Sequence, residues 1–75
     1  MAHTPTTADA KKLIGHKIAT LRDKKGYTQE RLAEAIGISL SHVAKIEIGL
    51  HAPRLETLLK IAKELHVEVK ELIPF

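Results

Sequence analysis

The side chains of this 75-residue sequence with chemistry to offer are five histidines, a Ser–His dipeptide and a scatter of lysines and arginines. His3, His16, His42, His51 and His66 include no pair four residues apart and no zinc-like spacing. The sequence also has no cysteine, so no metal site is expected. Ser41 and His42 look like half of a hydrolase, but neighbours on a helix point about 100° apart. No third partner or oxyanion hole accompanies them, so the chain is not expected to be an enzyme or to carry a cofactor. That leaves cationic chemistry. Twelve Lys and Arg against nine Asp and Glu give a net charge of +3 and a pI near 9.4. Aromatic residues are only 3% and Trp is absent, which disfavours the stacking platforms of single-strand and RNA binders.

The excess charge is unevenly placed. Residues 1–31 carry seven bases against three acids, and residues 32–75 five against six. One half is basic and the other nearly neutral, which fits a one-sided contact with a polyanion. A chain this short is one domain, held together by packing because disulfides are impossible. No run is long enough for a membrane span and no signal-peptide core is visible, so a cytoplasmic protein without membrane contact is expected.

Residues 1–7 are polar, interrupted by Pro5 and aperiodic, and are expected to be a disordered N-terminal tail; residues 8–75 form the domain. From about Ala8, Ile14, Ile18 and Leu21 give a helical stripe, with Asp9 in the first turn, Lys24 and Lys25 in the last, and Gly26 as terminator. Thr28 is the expected N-cap of a second helix whose stripe is Leu32, Ala33 and Ile36, ended by Gly37. Ser39 caps a third, spanning 39–48, with Val43 and Ile46 inward and Gly49 closing it. After Pro53, Arg54 to Leu65 reads as a strongly amphipathic helix with Leu55, Leu58, Leu59, Ala62 and Leu65 inward. Val67–Val69 has no strand partner, so a last short helix over roughly residues 68–73 is the better reading. The expected fold is all-α: a compact five-helix domain without a sheet.

The stretch from Gln29 to Glu47 is the informative one. Two short helices meet at a tight turn. Ala33 stands where only a small side chain fits, Gly37 where a positive φ is needed, and Ile38, Val43 and Ile46 plug the angle between the helices. This is a helix-turn-helix, which presents its second helix outward. The run Thr28-Gln-Glu-Arg-Leu-Ala-Glu-Ala-Ile-Gly-Ile-Ser, with Val43-Ala-Lys-Ile-Glu-Ile-Gly and Leu55-Glu-Thr-Leu-Leu-Lys-Ile-Ala after it, resembles the Cro/CI-type (Xre family) helix-turn-helix domain. The resemblance covers about residues 13–73 and implies a lambda-repressor-like fold.

It further implies roles. Leu40, Ser41, Ala44 and Lys45 fall at base-reading positions, Lys45 being long enough to reach guanine O6 and N7. Gln29 matches a phosphate-contacting glutamine and Arg54 a phosphate contact, with Thr28 and Ser39 beside them at helix N-termini. His42 and His51 lie near the same face and can donate to phosphate. Arg22 and Glu47 match a structural salt bridge. Leu40 is a departure, since the family often has a polar residue there; an apolar side chain can press on a thymine methyl but cannot bond adenine bidentately. Ile48 and Leu50 leave further apolar surface near the DNA face, and His66 stands where Gly or Asn usually ends the fourth helix.

Val67, Val69, Leu72, Ile73 and Phe75 exceed what a small monomer needs and are expected to form a homodimer interface, allowing two half-sites to be read together. The expected function is sequence-specific binding of double-stranded DNA by a transcriptional regulator, a dimeric repressor. Two alternatives stand beside it. One is a DNA-binding antitoxin, whose Ile48/Leu50 edge or C-terminal helix holds a toxin or other protein partner. The other is a protein-interaction module that does not bind DNA.

Overall fold

The computed structural model describes residues 4–75, so the first part of the expected tail lies outside the described residues. Four α-helices follow in order: α1 (Thr7–Lys24), α2 (Gln29–Ile36), α3 (Leu40–Glu47) and α4 (Leu55–Leu65). A single 3-10 turn at Val69–Leu72 ends the fold. Among the described residues the count is therefore four helices and not five. The last segment has room for only one tight turn between Glu68 and Pro74, and the residue before a proline is driven out of the helical region. Ile73 accordingly sits at φ −119°, ψ 83°.

Each of the first three helices begins on a hydroxyl that accepts a backbone N–H. Thr6 takes that of Asp9 at 3.1 Å, Thr28 that of Arg31 at 3.0 Å and Ser39 that of His42 at 3.0 Å. Such caps satisfy donors that the helix cannot, each contributing about 1 kcal/mol. Thr6 is thus an anchored cap, and α1 opens at Thr7. Gly37 closes α2 at φ 76°, the left-handed conformation that makes the tight turn into α3. His66 ends α4 in the same conformation at φ 57°, and the N–H of Val67 reaches back to the carbonyl of Ala62 at 3.0 Å. That returning bond is what holds a non-glycine residue there.

The core is one cluster. Ile18 of α1, Leu32 of α2, Ile46 of α3, Ile61 and Leu65 of α4 and Leu72 of the 3-10 turn are its largest fully buried side chains. α3 packs on both α1 and α2, α4 on α2, and the 3-10 turn between α1 and α4. On α4 the buried residues are Leu58, Ile61, Ala62 and Leu65. Leu55 and Leu59, expected inward, are instead 67% and 51% exposed. For Leu59 the reason is periodicity: it follows Leu58 and therefore turns about 100° away from the stripe, and Ile61 takes the inward place. Leu55 keeps the spacing of the stripe, but it opens the helix, where no core residue covers it.

Of the glycines, Gly15 in the middle of α1 has the least room. A Cβ there would collide with the carbonyl oxygen of Ile46 and lie 2.8 Å from that of Glu47. Both obstacles are backbone at the end of α3, so neither can swing aside. Gly15→Ala gains up to about 1 kcal/mol of helix propensity but forces α1 off α3. A net loss of roughly 1–3 kcal/mol is expected, in the range for overpacked sites. Urea unfolding followed by circular dichroism reads it; a more stable variant would show that the two helices separate freely.

Candidate nucleic-acid interface

The site is built on a buried carboxylate. Glu47, the last residue of α3, is 8% exposed. A charge so withdrawn from water is tolerable only when fully partnered. It accepts from Arg22 Nε at 2.7 Å and Nη2 at 3.1 Å, and from Gln29 Nε2 at 2.9 Å. Arg22 also donates through Nη1 to the carbonyl of Tyr27 at 2.6 Å. The two-pronged bond to Glu47 raises the Arg22 pKa above its ordinary value, outweighing the opposing effect of burial. One carboxylate thus ties α1, the start of α2 and the end of α3 together.

A second tie joins the α1–α2 connection to α4. The Tyr27 hydroxyl donates to Glu64 Oε2 at 2.6 Å, and the Arg31 guanidinium lies over its ring, 4.2 Å from the centroid. Bonding to Glu64 raises the Tyr27 pKa above 10.0. Tyr27 has no place in the expectations drawn from sequence, because a lone aromatic outside any periodic stripe carries no pattern.

Against this frame the outer face of α3 is free. Leu40, Ser41 and Lys45 are exposed and Ala44 is half-buried. Ser41 and Lys45 stand one turn apart in the middle of that face. Thr28 and Ser39 are exposed at the starts of α2 and α3, and Arg54 is exposed at the start of α4. Neither Lys45 nor Arg54 is in an ion pair among the described residues. On the flank of α3, the rings of His42 and His51 meet edge to face with centroids 6.2 Å apart. They line a shallow depression with Lys11, Arg54 and Lys60. Its carboxylate, Glu56, is paired with Lys60 at 3.3 Å. Five basic side chains from α1, α3, α4 and the loop between the last two therefore converge beside the recognition face.

Two expected site residues are placed differently from the rest. Gln29 sits at the start of α2, but its amide nitrogen is turned inward to Glu47. Its second amide hydrogen and its backbone N–H are what remain for a ligand. Leu72 is fully buried and belongs to the core, so it cannot be an interface residue as the sequence suggested. Packing into the angle between α1 and α4 explains why. Val67, Val69 and Ile73 are half-buried against the same core, and Phe75 is 49% exposed. Among the described residues no group of three His, Cys, Asp or Glu side chains is arranged to hold a metal ion. No described helix is long and apolar enough to cross a membrane.

A helix-turn-helix family model matches residues 18–72, most of the chain, from the C-terminal part of α1 to the 3-10 turn. The chain belongs to the Cro/CI-type (Xre) helix-turn-helix family. It is 41% identical over 61 residues to the HTH-type transcriptional regulator SlrR of Bacillus subtilis, covering 80% of this chain and 40% of that protein. It is 40% identical over 60 residues to YazB of the same organism, an HTH-type transcriptional regulator of uncharacterised role, covering 80% and 87%. The chain thus spans less than half of SlrR but most of YazB. Among solved structures it resembles the biofilm regulator SinR in complex with DNA, with a TM-score of 0.74 and 37% identity over 79% of this chain and 95% of that one.

The buried carboxylate yields a direct test. Glu47→Ala leaves Arg22 and Gln29 without their acceptor. Breaking a buried pair costs about 3–5 kcal/mol; because Arg22 keeps 14% of its side chain in water, roughly 2–4 kcal/mol is expected here. Chemical denaturation measures it, and a loss within experimental error would mean that the carboxylate is not the fastening.

Proposed function

We propose that this protein is a sequence-specific, double-stranded DNA-binding transcriptional regulator that lays α3 in the major groove. The carrying observation is the outer face of α3: Ser41 and Lys45 project from a helix whose end is locked by Glu47, with no carboxylate opposing the cation. Leu40, Ser41, Ala44 and Lys45 face base edges. Thr28, Gln29, Ser39, His42, His51 and Arg54 border them and hold phosphates. The SinR–DNA structure and the regulators similar to this chain support the reading. No catalytic role is assigned.

A cytoplasmic homodimer acting as a repressor is the fuller form of the proposal. Phe75, with the outer edges of Val67, Val69 and Ile73, offers apolar surface for the second copy, and Leu55 and Leu59 of α4 add to the uncovered apolar area. Paired subunits would present two copies of α3 to half-sites about one helical turn apart, or 34–36 Å. Selection from a random duplex library tests both parts at once. A two-fold symmetric consensus is expected; an unstructured pool would remove the sequence-specific reading.

Two substitutions separate the roles. Lys45→Ala should cost roughly 1–3 kcal/mol on the selected site and relax preference at one base pair. Arg54→Ala should weaken binding to every sequence and lower the slope of log affinity against log salt by about 1. Both are read by fluorescence anisotropy over a salt series. An Arg54 variant that loses affinity for a single sequence only would overturn its phosphate role.

A further inference from the structure

The exposed surface of α3 holds an apolar feature that hydrogen bonding and charge leave unused. Leu40 and Ala44 of α3 and Ile48, which caps the helix with its N–H on the carbonyl of Ala44 at 3.1 Å, are spaced i, i+4, i+8 and so continue one stripe. Leu40 is 46% exposed and Ile48 70%, with Ala44 half-buried between them. Scattered apolar residues on a surface need no explanation, but a row of them on the face proposed to meet bases does. The polar stripe of Ser41 and Lys45 runs alongside it, one residue further round the helix. The outer face is therefore divided lengthwise into an apolar strip and a hydrogen-bonding strip.

We propose that the Leu40–Ala44–Ile48 stripe reads thymine C5-methyl groups in the operator; this rests on the DNA-binding function proposed above. In the major groove the methyl of thymine is the one apolar group that a base pair displays, and aliphatic side chains are its natural complement. Charge decides in favour of a duplex as the occupant. Lys45 borders the stripe without an acidic partner, and the basic depression of Lys11, His42, His51 and Arg54 lies beyond it. An apolar protein surface pressed on the stripe would bury Lys45 unpaired, whereas a duplex supplies guanine acceptors to it and phosphates to the others. Specificity then has two independent halves: Lys45 selects by hydrogen bonding, and the stripe selects by a methyl group. Because the methyl and not the base is read, 5-methylcytosine presents the same group in the same place.

The test uses the full chain and the duplex that it selects from a random library. Thymines of one half-site are replaced singly by deoxyuridine, which lacks only the methyl. About a fourfold loss of affinity is expected for each methyl covered, matching ~0.8 kcal/mol per buried carbon. At the same positions 5-methylcytosine should bind tighter than cytosine by a similar factor. Leu40→Ala should bind the thymine and uracil duplexes equally at one position, and Ile48→Ala at another. Both side chains are exposed, so the fold is expected to persist, and circular dichroism checks it. A selected site without thymine opposite the stripe would overturn the proposal. So would salt-dependent binding that does not distinguish thymine from uracil, or a Leu40→Ala variant as sensitive to the methyl as the parent. Failure to bind any duplex would instead remove the DNA-binding reading itself.

Discussion

A carboxylate that has been taken out of water sets the terms for the rest of this molecule. Glu47 gives up its hydration at the end of α3, and only three donors in the right places make that tolerable. Two come from one guanidinium on α1 and one from the amide at the start of α2. A core of this size can slide, because aliphatic contacts are not directional. Hydrogen bonds are directional, and these three fix how α1, α2 and α3 meet. The same helices cross with no room for a Cβ at Gly15, so polar and steric constraints agree at one end of α3.

With that end held, the outward side of α3 is free to carry residues that contribute little to folding. Leu40, Ser41 and Lys45 are exposed, and among the described residues their side chains make no hydrogen bond or ion pair, so they can vary without unsettling the core. Stability and the proposed specificity thus fall on different faces of the same eight residues. Val43, Ile46 and Glu47 hold the helix in place, while the opposite side is open to a ligand. The basic depression beside it draws on distant parts of the sequence, from Lys11 to Lys60, which explains why overall charge is a poor guide to it.

Much of the architecture is written locally. Thr28 and Ser39 are hydroxyls placed just before apolar-periodic runs, and Gly37 sits where a tight turn must follow; each acts on its nearest neighbours and needs no knowledge of the fold. The less legible features all depend on what comes from elsewhere. Leu55 and Leu59 belong to a leucine-rich helix, and the width of its buried stripe is settled only by what packs against it. Leu72 looked available until α1 and α4 enclosed it. Gly15 has no turn to explain it, since its reason lies far along the sequence in the carbonyls of Ile46 and Glu47. The inward turn of Gln29 has the same origin: a residue assigned to the ligand also helps to satisfy a buried charge. Tyr27 reaches Glu64 across a gap in sequence that periodicity cannot bridge.

The position of the fastening on α3 has a mechanical consequence. It lies at the C-terminal end, while Leu40 is at the other, seven residues away and about 10 Å along the axis at 1.5 Å per residue. Val43 is the last core residue before the Leu40 end, so the first turn of the helix overhangs its support, and its tip magnifies any change at the root. A tilt of roughly 6° would carry Leu40 about 1 Å sideways over that length, enough to misalign a contact made at van der Waals range. Ser39 and Gly37 steady the tip only through the turn that precedes it. Under the proposed mode of DNA binding, the closeness of the α1–α3 crossing is a tolerance: the accuracy of any contact made by Leu40 is set at the opposite end of the helix.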